Sequence, residues 1–177
     1  STILKNIPVL SSHEEIVLNS LGKTLAKPVT ALLSNPPSDV SSMDGYALKN
    51  SDIDKGVLEF TVIDESVAGK SSLKTVATMQ TVRIFTGAKI PHGADRIILQ
   101  EDVKRLGNNL IKINKNKLEN NNFFIRKIGM DFKLGEKLID KGEVLNTRNI
   151  SLCVASGNSW VTIRRKPKIG IISTGNE

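Results

Sequence analysis

A chain of 177 residues, 39% of them hydrophobic and 24% charged, is long and apolar enough for one ordinary domain or two small ones. An aromatic content of 4% weighs against stacking of single-stranded nucleic-acid bases, and a single cysteine excludes an internal disulfide framework and any multi-cysteine metal site. The net charge of +7 favours anionic ligands. No apolar run approaches the roughly 20 residues that span a bilayer, and no signal-peptide pattern opens the chain, so we expect the cytoplasm.

Helical patterns are confined mainly to the N-terminal region. Residues 2–7 are expected to be the tail of a helix, and 15–18 a short strand. A second helix is predicted over 20–27, with Leu21 and Leu25 on one face. A shorter helical turn is expected after Asn50.

Short strands dominate the rest of the pattern. Apolar segments that are β-branched or alternating, with Gly, Pro, Asn or Asp between them, predict strands at 58–62, 81–85, 96–99, 109–113, 137–139, 143–145 and 160–163. Hairpin turns are expected at 107–108 and at 140–142, the second between the two strands that flank it. A short helix is predicted from Asn149, ending at Gly157.

The C-terminal end of the chain has a different character. The apolar run 169–172 is typical of a strand that opens a parallel sheet. A chain that begins without methionine and stops just after such a strand is expected to be a piece of a longer protein. We therefore predict a mainly β body, with the start of a separate α/β domain after Pro167.

The most informative stretch for chemistry runs from Pro36 to Ala47. Its two prolines fix an extended entry, hydroxyls and two carboxylates follow, and Gly45 permits a turn that other residues disfavour. Such a loop can hold Asp44 beside a metal ion or a cationic partner. The alternative interpretation is a capping aspartate in an ordinary turn.

A second polar stretch, 86–95, lies between two predicted strands. Gly87 and Gly93 allow close approach of the backbone, and Thr86 can offer its hydroxyl and nearby amides to an oxyanion or phosphate. An ordinary strand-end loop is the alternative, with His92 as a solvated loop residue.

Two further stretches carry charged groups. In 126–131, Arg126 can bind phosphate, and Asp131 can bind a metal ion or orient Arg126; a surface turn with an ion pair is the alternative. In 173–177, Glu177 follows the apolar run, at the place where open α/β sheets bind ligands.

Taken together and in this order, these stretches resemble the molybdopterin molybdenumtransferase family, which includes bacterial MoeA and the E domain of gephyrin. The resemblance extends from about Glu15 to the last residue. It is carried by the SMDGYA hexapeptide at 42–47, by 86–88 with Pro91, Gly93, Ala94 and Asp95, by Gln100-Glu101, by Ile125-Arg126 with Gly129 and Asp131, by Gly135 and Gly142, and by 171–177.

The resemblance implies a mainly β fold, with the bifurcated β-sheets of the MoeA N-terminal region and a few short helices. An elongated, discontinuous first domain would comprise about 1–30 and 133–166. A β-rich second domain, about 31–132, would be inserted in it. Residues 167–177 would be the first strand of a truncated α/β domain that binds molybdopterin.

The resemblance also implies part of an enzyme of molybdenum cofactor biosynthesis. Family members transfer molybdenum from molybdate to adenylylated molybdopterin, hydrolyse the adenylate and use Mg²⁺. The family's catalytic positions fall on Asp44, Thr86, Asp131 and Glu177. Of these, Asp44 and Glu177 would hold the metal. Its cofactor-binding positions fall on Ser42, Gly45, Tyr46, Gly87 and Arg126.

The implied partners follow from the same family. The longer parent would be a homodimer that works with molybdopterin adenylyltransferase and other cofactor-assembly proteins, without membrane or nucleic acid. The fragment alone would be inactive. Two positions depart from the family pattern: 38–41 supply neither the usual aromatic nor an Asn, and Met130 stands where an acidic residue is common.

Two other functions remain open from the residues. One is a non-enzymatic scaffold that binds other cofactor-assembly proteins, and it predicts intact partner binding when Asp44 is replaced. The other is a nucleic-acid-binding β domain, motivated only by the +7 charge. It predicts an affinity that falls steeply with salt.

Overall fold

The computed structural model of the protein describes residues 8–118 and 122–175. The chain divides into two units: unit 1 comprises Ser1–Ser34 and Lys133–Glu177, and unit 2 comprises Asn35–Phe132. Unit 2 is thus inserted, in sequence, between the two halves of unit 1. The mainly β fold class with a few short helices is confirmed. The predicted limits of three domains stay predictions.

The strands and α-helices are short, in agreement with the frequent Gly, Pro and Asn of the sequence. In chain order they are β1 (Ser12–Ile16), β2 (Val29–Thr30), β3 (Val40–Ser41), β4 (Gly45–Leu48), α1 (Asn50–Asp54), β5 (Glu59–Ser66), β6 (Gln80–Ile84), β7 (Arg96–Leu99), β8 (Val103–Arg105), β9 (Leu110–Ile113), β10 (Ile125–Arg126), β11 (Lys137–Ile139), α2 (Thr147–Ala155) and β12 (Trp160–Arg164). Single 3₁₀ turns occupy Val17–Asn19, Gln100–Asp102 and Lys115–Lys117. Across the described parts of the chain, no helix is long and apolar enough to cross a membrane.

Unit 2 is built on a six-stranded sheet in the order β7-β4-β6-β5-β9-β8. All pairs are antiparallel except β5 with β6. Every residue of β4 is buried. Tyr46 and Leu48 pack into one apolar cluster with Phe60, whereas Ala47, one residue apart, packs into another with Ile84. Because side chains alternate along a strand, both faces of the sheet are covered.

The two ends of unit 2 meet. Asn35 and Phe132 form an isolated antiparallel bridge, in which the Asn35 N–H donates to the Phe132 carbonyl at 2.9 Å. A short ribbon of β3 with β10 lies near them in sequence, with Val40 opposite Arg126 and Ser41 opposite Ile125. This ribbon therefore connects the hexapeptide loop to the segment that carries Arg126 and Asp131.

Unit 1 contains two antiparallel ribbons, β1 with β12 and β2 with β11, and the helix α2. Asn146 caps α2 by accepting from the Asn149 N–H while the Asn149 side chain accepts from the Asn146 N–H, each at 2.9 Å. These elements enclose one apolar core, formed by Val17, Leu25, Val29, Ile139, Leu145, Cys153, Val161 and Ile163.

Several predicted elements are present with small shifts. The strands predicted at 58–62, 81–85, 96–99, 109–113 and 160–163 correspond to β5, β6, β7, β9 and β12. The turn at 107–108 joins β8 to β9, and helix α2 begins two residues before Asn149. The prediction for 15–18 is half right, because β1 ends at Ile16 and a 3₁₀ turn follows. The prediction for 2–7 lies outside the described residues.

The helix predicted over 20–27 is wrong. The backbone there forms turns and isolated bridges, with Thr24 opposite Val144 and Leu25 opposite Ile163. The Leu25 N–H donates to the Glu143 carbonyl at 2.9 Å, so pairing with distant segments replaces the i to i−4 bonds of a helix. Tertiary pairing therefore overrides a weak local preference.

The C-terminal predictions have mixed outcomes. The strand predicted at 137–139 is confirmed as β11, although it pairs with β2. The strand predicted at 143–145 is wrong, because its backbone bonds to residues 23 and 25 instead of completing a hairpin. No strand forms at 169–172, where Ile169, Ile171 and Ile172 are 81%, 92% and 87% exposed. A strand needs a neighbour for its backbone groups, and no segment of 8–118 or 122–175 pairs with this one. Its assignment as the first strand of a further α/β domain stays a prediction.

Candidate functional site

The hexapeptide loop leaves β3 through a tight polar turn. The buried Ser41 hydroxyl contacts the Met43 carbonyl and accepts from the Met43 N–H at 3.2 Å. Ser42 is anchored at the same point, because its N–H and its hydroxyl donate to the Phe124 carbonyl at 3.0 and 2.9 Å. These contacts fix the backbone that leads into Asp44.

Asp44 is held on one side by Thr86. The N–H and the hydroxyl of Thr86 both donate to Asp44 Oδ1, each at 2.8 Å. These two bonds, the amide first, lower the pKa of Asp44 below its ordinary value, and the nearby charge of Arg83 adds to the effect. Among the described residues, Asp44 Oδ2 accepts no hydrogen bond, so the ionised carboxylate keeps one oxygen for a ligand.

The loop that carries Thr86 is tied to β3 by its backbone. The Gly87 N–H donates to the Ser41 carbonyl at 2.8 Å, and the Ser41 N–H donates to the Ala88 carbonyl at 2.9 Å. Gly87 has a φ of 79°, in the left-handed region that favours glycine. The geometry therefore brings Ser42, Asp44, Thr86 and Gly87 together at one end of β3.

Gly45 and Tyr46 have packing roles that the sequence did not reveal. A Cβ on Gly45 would collide with the Ile98 carbonyl oxygen of β7 and lie 3.0 Å from a methyl group of Ile97. Tyr46 is 2% exposed, and its hydroxyl accepts from Arg105 Nε at 3.2 Å. A direct role for either residue in cofactor binding stays a prediction.

Asp131 forms a second, separate site with Arg126. Arg126 Nη2 donates to Asp131 Oδ1 at 2.5 Å, and the Asn35 side-chain amide donates to Asp131 Oδ2 at 3.1 Å. The Asp131 N–H also donates to the Asn35 carbonyl at 2.9 Å. Both carboxylate oxygens are thus engaged, which favours orientation of Arg126 over direct metal binding.

The two pairs lie on segments that the β3–β10 ribbon joins. In the part of the chain that the structure describes, no hydrogen bond or ion pair joins Asp44 or Thr86 to Arg126 or Asp131. Glu177 lies outside that part, and its predicted role stays a prediction. Within 8–118 and 122–175, no group of three or more His, Cys, Asp or Glu residues could hold a metal ion.

The described residues nevertheless fit one half of the predicted magnesium site. Mg²⁺ in proteins is commonly bound through one or two carboxylates together with phosphate oxygens of a substrate. Asp44 supplies one such carboxylate, ionised and with both bonds from Thr86 made to Oδ1. Its predicted partner as a metal ligand is Glu177.

Sequence reasoning missed three residues that shape these loops. Arg83 donates to the Gly45 carbonyl at 2.9 Å, and Asn35 orients Asp131. Asp39 accepts from Lys127 Nζ at 2.8 Å and from the Ile128 N–H at 2.9 Å, and the Lys127 bond is the main cause of its lowered pKa. Only Asp39 had a sequence signal, as the other carboxylate of the hexapeptide stretch.

These features define a class of protein: a β-rich scaffold that presents carboxylates and arginine on loops tied to one ribbon. The family model for the MoeA N-terminal region (domain I and II) matches residues 1–157. The chain belongs to this family. The resemblance drawn from the motifs is thereby confirmed.

Curated relatives and solved structures agree with this assignment. A molybdopterin molybdenumtransferase of Haemophilus influenzae is 32% identical over an alignment of 178 positions, which covers 100% of this chain and 43% of the relative. Gephyrin of Dictyostelium discoideum is 30% identical over an alignment of 176 positions, which covers 91% of this chain and 24% of gephyrin. A molybdopterin biosynthesis MoeA protein of Pyrococcus horikoshii superposes with a TM-score of 0.78 at 30% identity, covering 89% of this chain and 42% of that one. The chain thus spans less than half the length of each.

Proposed function

We propose that the chain is the N-terminal part of a molybdopterin molybdenumtransferase that acts in molybdenum cofactor biosynthesis. The proposed reaction transfers molybdenum from molybdate to adenylylated molybdopterin and hydrolyses the adenylate. Support comes from the family match over residues 1–157 and from relatives that carry the name of this enzyme.

The observation that carries the proposal is the Asp44–Thr86 pair. Thr86 occupies Oδ1 of Asp44 with two hydrogen bonds of 2.8 Å, which keeps the carboxylate ionised and fixes its direction. In the proposed site, Asp44 and Glu177 would hold Mg²⁺, which would supply positive charge against phosphate and molybdate oxygens.

Arg126 has a complementary role in the proposal. Its side chain is 42% exposed while one terminal nitrogen is bound to Asp131, so the guanidinium is oriented and still accessible. An oriented arginine suits an anionic substrate such as molybdate or a phosphate group. In this proposal Asp131 positions Arg126, and Ser42 and Gly87 shape the loops beside Asp44.

The partners and setting of the parent protein belong to the same proposal. We propose a cytoplasmic homodimer that receives its substrate from molybdopterin adenylyltransferase. Since the chain covers 43% of the Haemophilus relative, we also propose that it is inactive without the remaining domains. A 177-residue chain that metalates molybdopterin at the rate of the full-length parent would contradict this last point.

The test compares the full-length parent with its Asp44→Asn variant in molybdate-dependent metalation of adenylylated molybdopterin. We expect a loss of at least about tenfold, equivalent to about 1.4 kcal/mol of transition-state stabilisation. Asp64→Asn is the matched control, because Asp64 also accepts from a hydroxyl, that of Ser72 at 2.6 Å, and also has a lowered pKa. It lies on β5, outside the loops of the site, and its variant should retain activity.

The alternative function has its own outcome. An inactive but well-folded parent, whose binding to other cofactor-assembly proteins survives the Asp44→Asn change, would favour the scaffold. Equal losses in the Asp44 and Asp64 variants would mean that the assay reports folding instead of the site.

A further inference from the structure

Arg83 lies where the two loops that carry Asp44 and Thr86 leave the sheet. It belongs to β6, directly opposite Tyr46 of β4 in the antiparallel register. Strand β4 begins at Gly45, immediately after Asp44, and β6 ends at Ile84, two residues before Thr86. Arg83 thus lies near both the start of β4 and the end of β6, the strands next to Asp44 and Thr86.

The guanidinium of Arg83 bonds to strand β4 and to the 3₁₀ turn that follows β7. Nη1 donates to the Gly45 carbonyl at 2.9 Å, and Nη2 donates to Gln100 Oε1 at 2.5 Å. The Gln100 N–H in turn donates to the Asp44 carbonyl at 3.2 Å. Two successive carbonyls that follow the Asp44 side chain are therefore connected to one arginine: that of Gly45 directly and that of Asp44 through Gln100.

Two aromatic rings hold the guanidinium in place. Its carbon lies 5.1 Å from the centre of the Tyr46 ring and 4.6 Å from that of Phe85. Both distances are within the range of a cation–π contact. Phe85 directly precedes Thr86, so the same side chain that bonds to the Asp44 segment also packs on the segment of its hydrogen-bond partner.

We propose that Arg83 is the positioning residue that holds Asp44 in register with Thr86. The inference rests on the proposed function of that pair, and it goes further by naming the group that aligns it. A planar fork with donors on both sides can reach Gly45 and Gln100 at once, which a lysine ammonium at the end of a flexible chain cannot do.

The first experiment measures amide hydrogen exchange by NMR in the 177-residue chain. The Thr86 amide reports the bond to Asp44, and we expect its exchange to be about fivefold faster in Arg83→Met. Arg83→Lys should show a smaller increase. Arg105→Met is the matched control, because Arg105 contacts the same tyrosine through its hydroxyl without bonding to the Asp44 backbone. Its Thr86 amide should be unchanged.

The amides of Val82 and Ile97 distinguish positioning from general stability. Both lie on the strands beside β4 and are fully buried, so they should keep their exchange rates in Arg83→Met. An unchanged Thr86 amide in Arg83→Met, or equal acceleration at Val82 and Ile97, would overturn the proposal.

A second measurement, in the full-length parent, separates this inference from the proposed function. In Arg83→Met we expect kcat to fall at least about fivefold with little change in KM, because the loss is one of alignment. If the parent has no insertase activity but the Thr86 amide still exchanges faster, the function fails and the positioning role stands. If the parent is active and both kcat and the Thr86 amide are unchanged in Arg83→Met, the positioning role fails alone.

Discussion

The two units place their polar groups differently. In unit 2, side chains link segments far apart in sequence: Asp44 and Thr86 are 42 residues apart, and Asn35 and Asp131 are 96 apart. Among the described residues of unit 1, bonds between two side chains stay local, as between Lys137 and Asp140, three residues apart. Its long-range side-chain contacts run to the backbone instead, as from the Asn158 amide to the Thr30 carbonyl. The predicted site residues that the structure describes all lie in unit 2. A sheet covered on both faces leaves its loop ends as the places where polar chemistry can emerge.

The strongest test of this comparison removes one large side chain from each core. Phe60 is fully buried in unit 2, and Leu145 is 1% exposed in unit 1. We expect Phe60→Ala to cost about 3–5 kcal/mol and Leu145→Ala about 2–5 kcal/mol in urea denaturation. Because the two cores share no residue, amide exchange should accelerate mainly in the unit that carries the change. Equal acceleration of amide exchange in both units would show that the two cores do not unfold independently.

A smaller effect is expected at the first residue of β4. Gly45→Ala places a Cβ against the Ile98 carbonyl oxygen, so β4 and β7 must separate or lose a bond. We expect a loss of about 1–3 kcal/mol in the free energy of unfolding, measured in urea. Gly135→Ala is an informative control in unit 1, because nothing lies within 4 Å of its Cβ position and its φ of 81° alone carries the strain. A stability loss at Gly45 no larger than that at Gly135 would count against the close approach.

The capping box of α2 tests the local side of the comparison. Asn146→Ala removes the acceptor for the Asn149 N–H, and we expect a loss of about 1 kcal/mol in thermal or urea unfolding. Thr147→Ala, one residue further, keeps both bonds and serves as the control. Similar losses in the two variants would mean that the cap contributes little.

The smallest effect concerns pH. The Lys127 ammonium lowers the pKa of Asp39 below its ordinary 3.8, with the Ile128 amide as a further cause. A carboxylate whose pKa is lower in the folded than in the unfolded state stabilises the fold at pH values above its unfolded-state pKa. This contribution disappears as the pH falls through its folded-state pKa. Asp39→Ala should therefore cost less than about 1 kcal/mol at pH 7 and still less in acid.

The matched ion pair for Asp39 lies in unit 1. Asp140 bonds to Lys137 at 2.5 Å, three residues away, with both side chains more than half exposed. We expect Asp140→Ala to have a smaller effect than Asp39→Ala in the same urea measurements at pH 7. If Asp140→Ala lowers the free energy of unfolding as much as Asp39→Ala or more, the sequence separation of an ion pair does not determine its contribution to stability.

The sequence predicted strands best where the apolar pattern was strong and the ends were marked. β7 and β11 were predicted with both of their bounds, and the prediction for β12 lacks only its last residue. It failed where backbone pairing between distant segments decided the structure, as at Leu25, whose partners lie at Glu143 and Ile163. Such pairing leaves no periodicity in either segment.

The site could be predicted to a different extent. The order of the motifs predicted Asp44, Thr86, Arg126 and Asp131 as site residues, whereas spacing alone left ordinary turns as alternatives. The structure supplies the pairing of Asp44 with Thr86 and of Arg126 with Asp131. Arg83 gave no signal, because its partners are set by the register of β4 with β6 and by the 3₁₀ turn that contains Gln100.

The bridge between Asn35 and Phe132 has a consequence for synthesis on the ribosome. Unit 1 needs residues from both sides of the insertion, so it cannot be completed until the chain beyond Lys133 has emerged. Closing a flexible loop of roughly 100 residues costs about 4 kcal/mol of chain entropy. Unit 2 can fold first, and its folding joins its two ends at Asn35 and Phe132. The entropy of closing this loop is therefore already lost when the second half of unit 1 is synthesised. The early folding of unit 2 therefore brings the two halves of unit 1 close together before unit 1 folds.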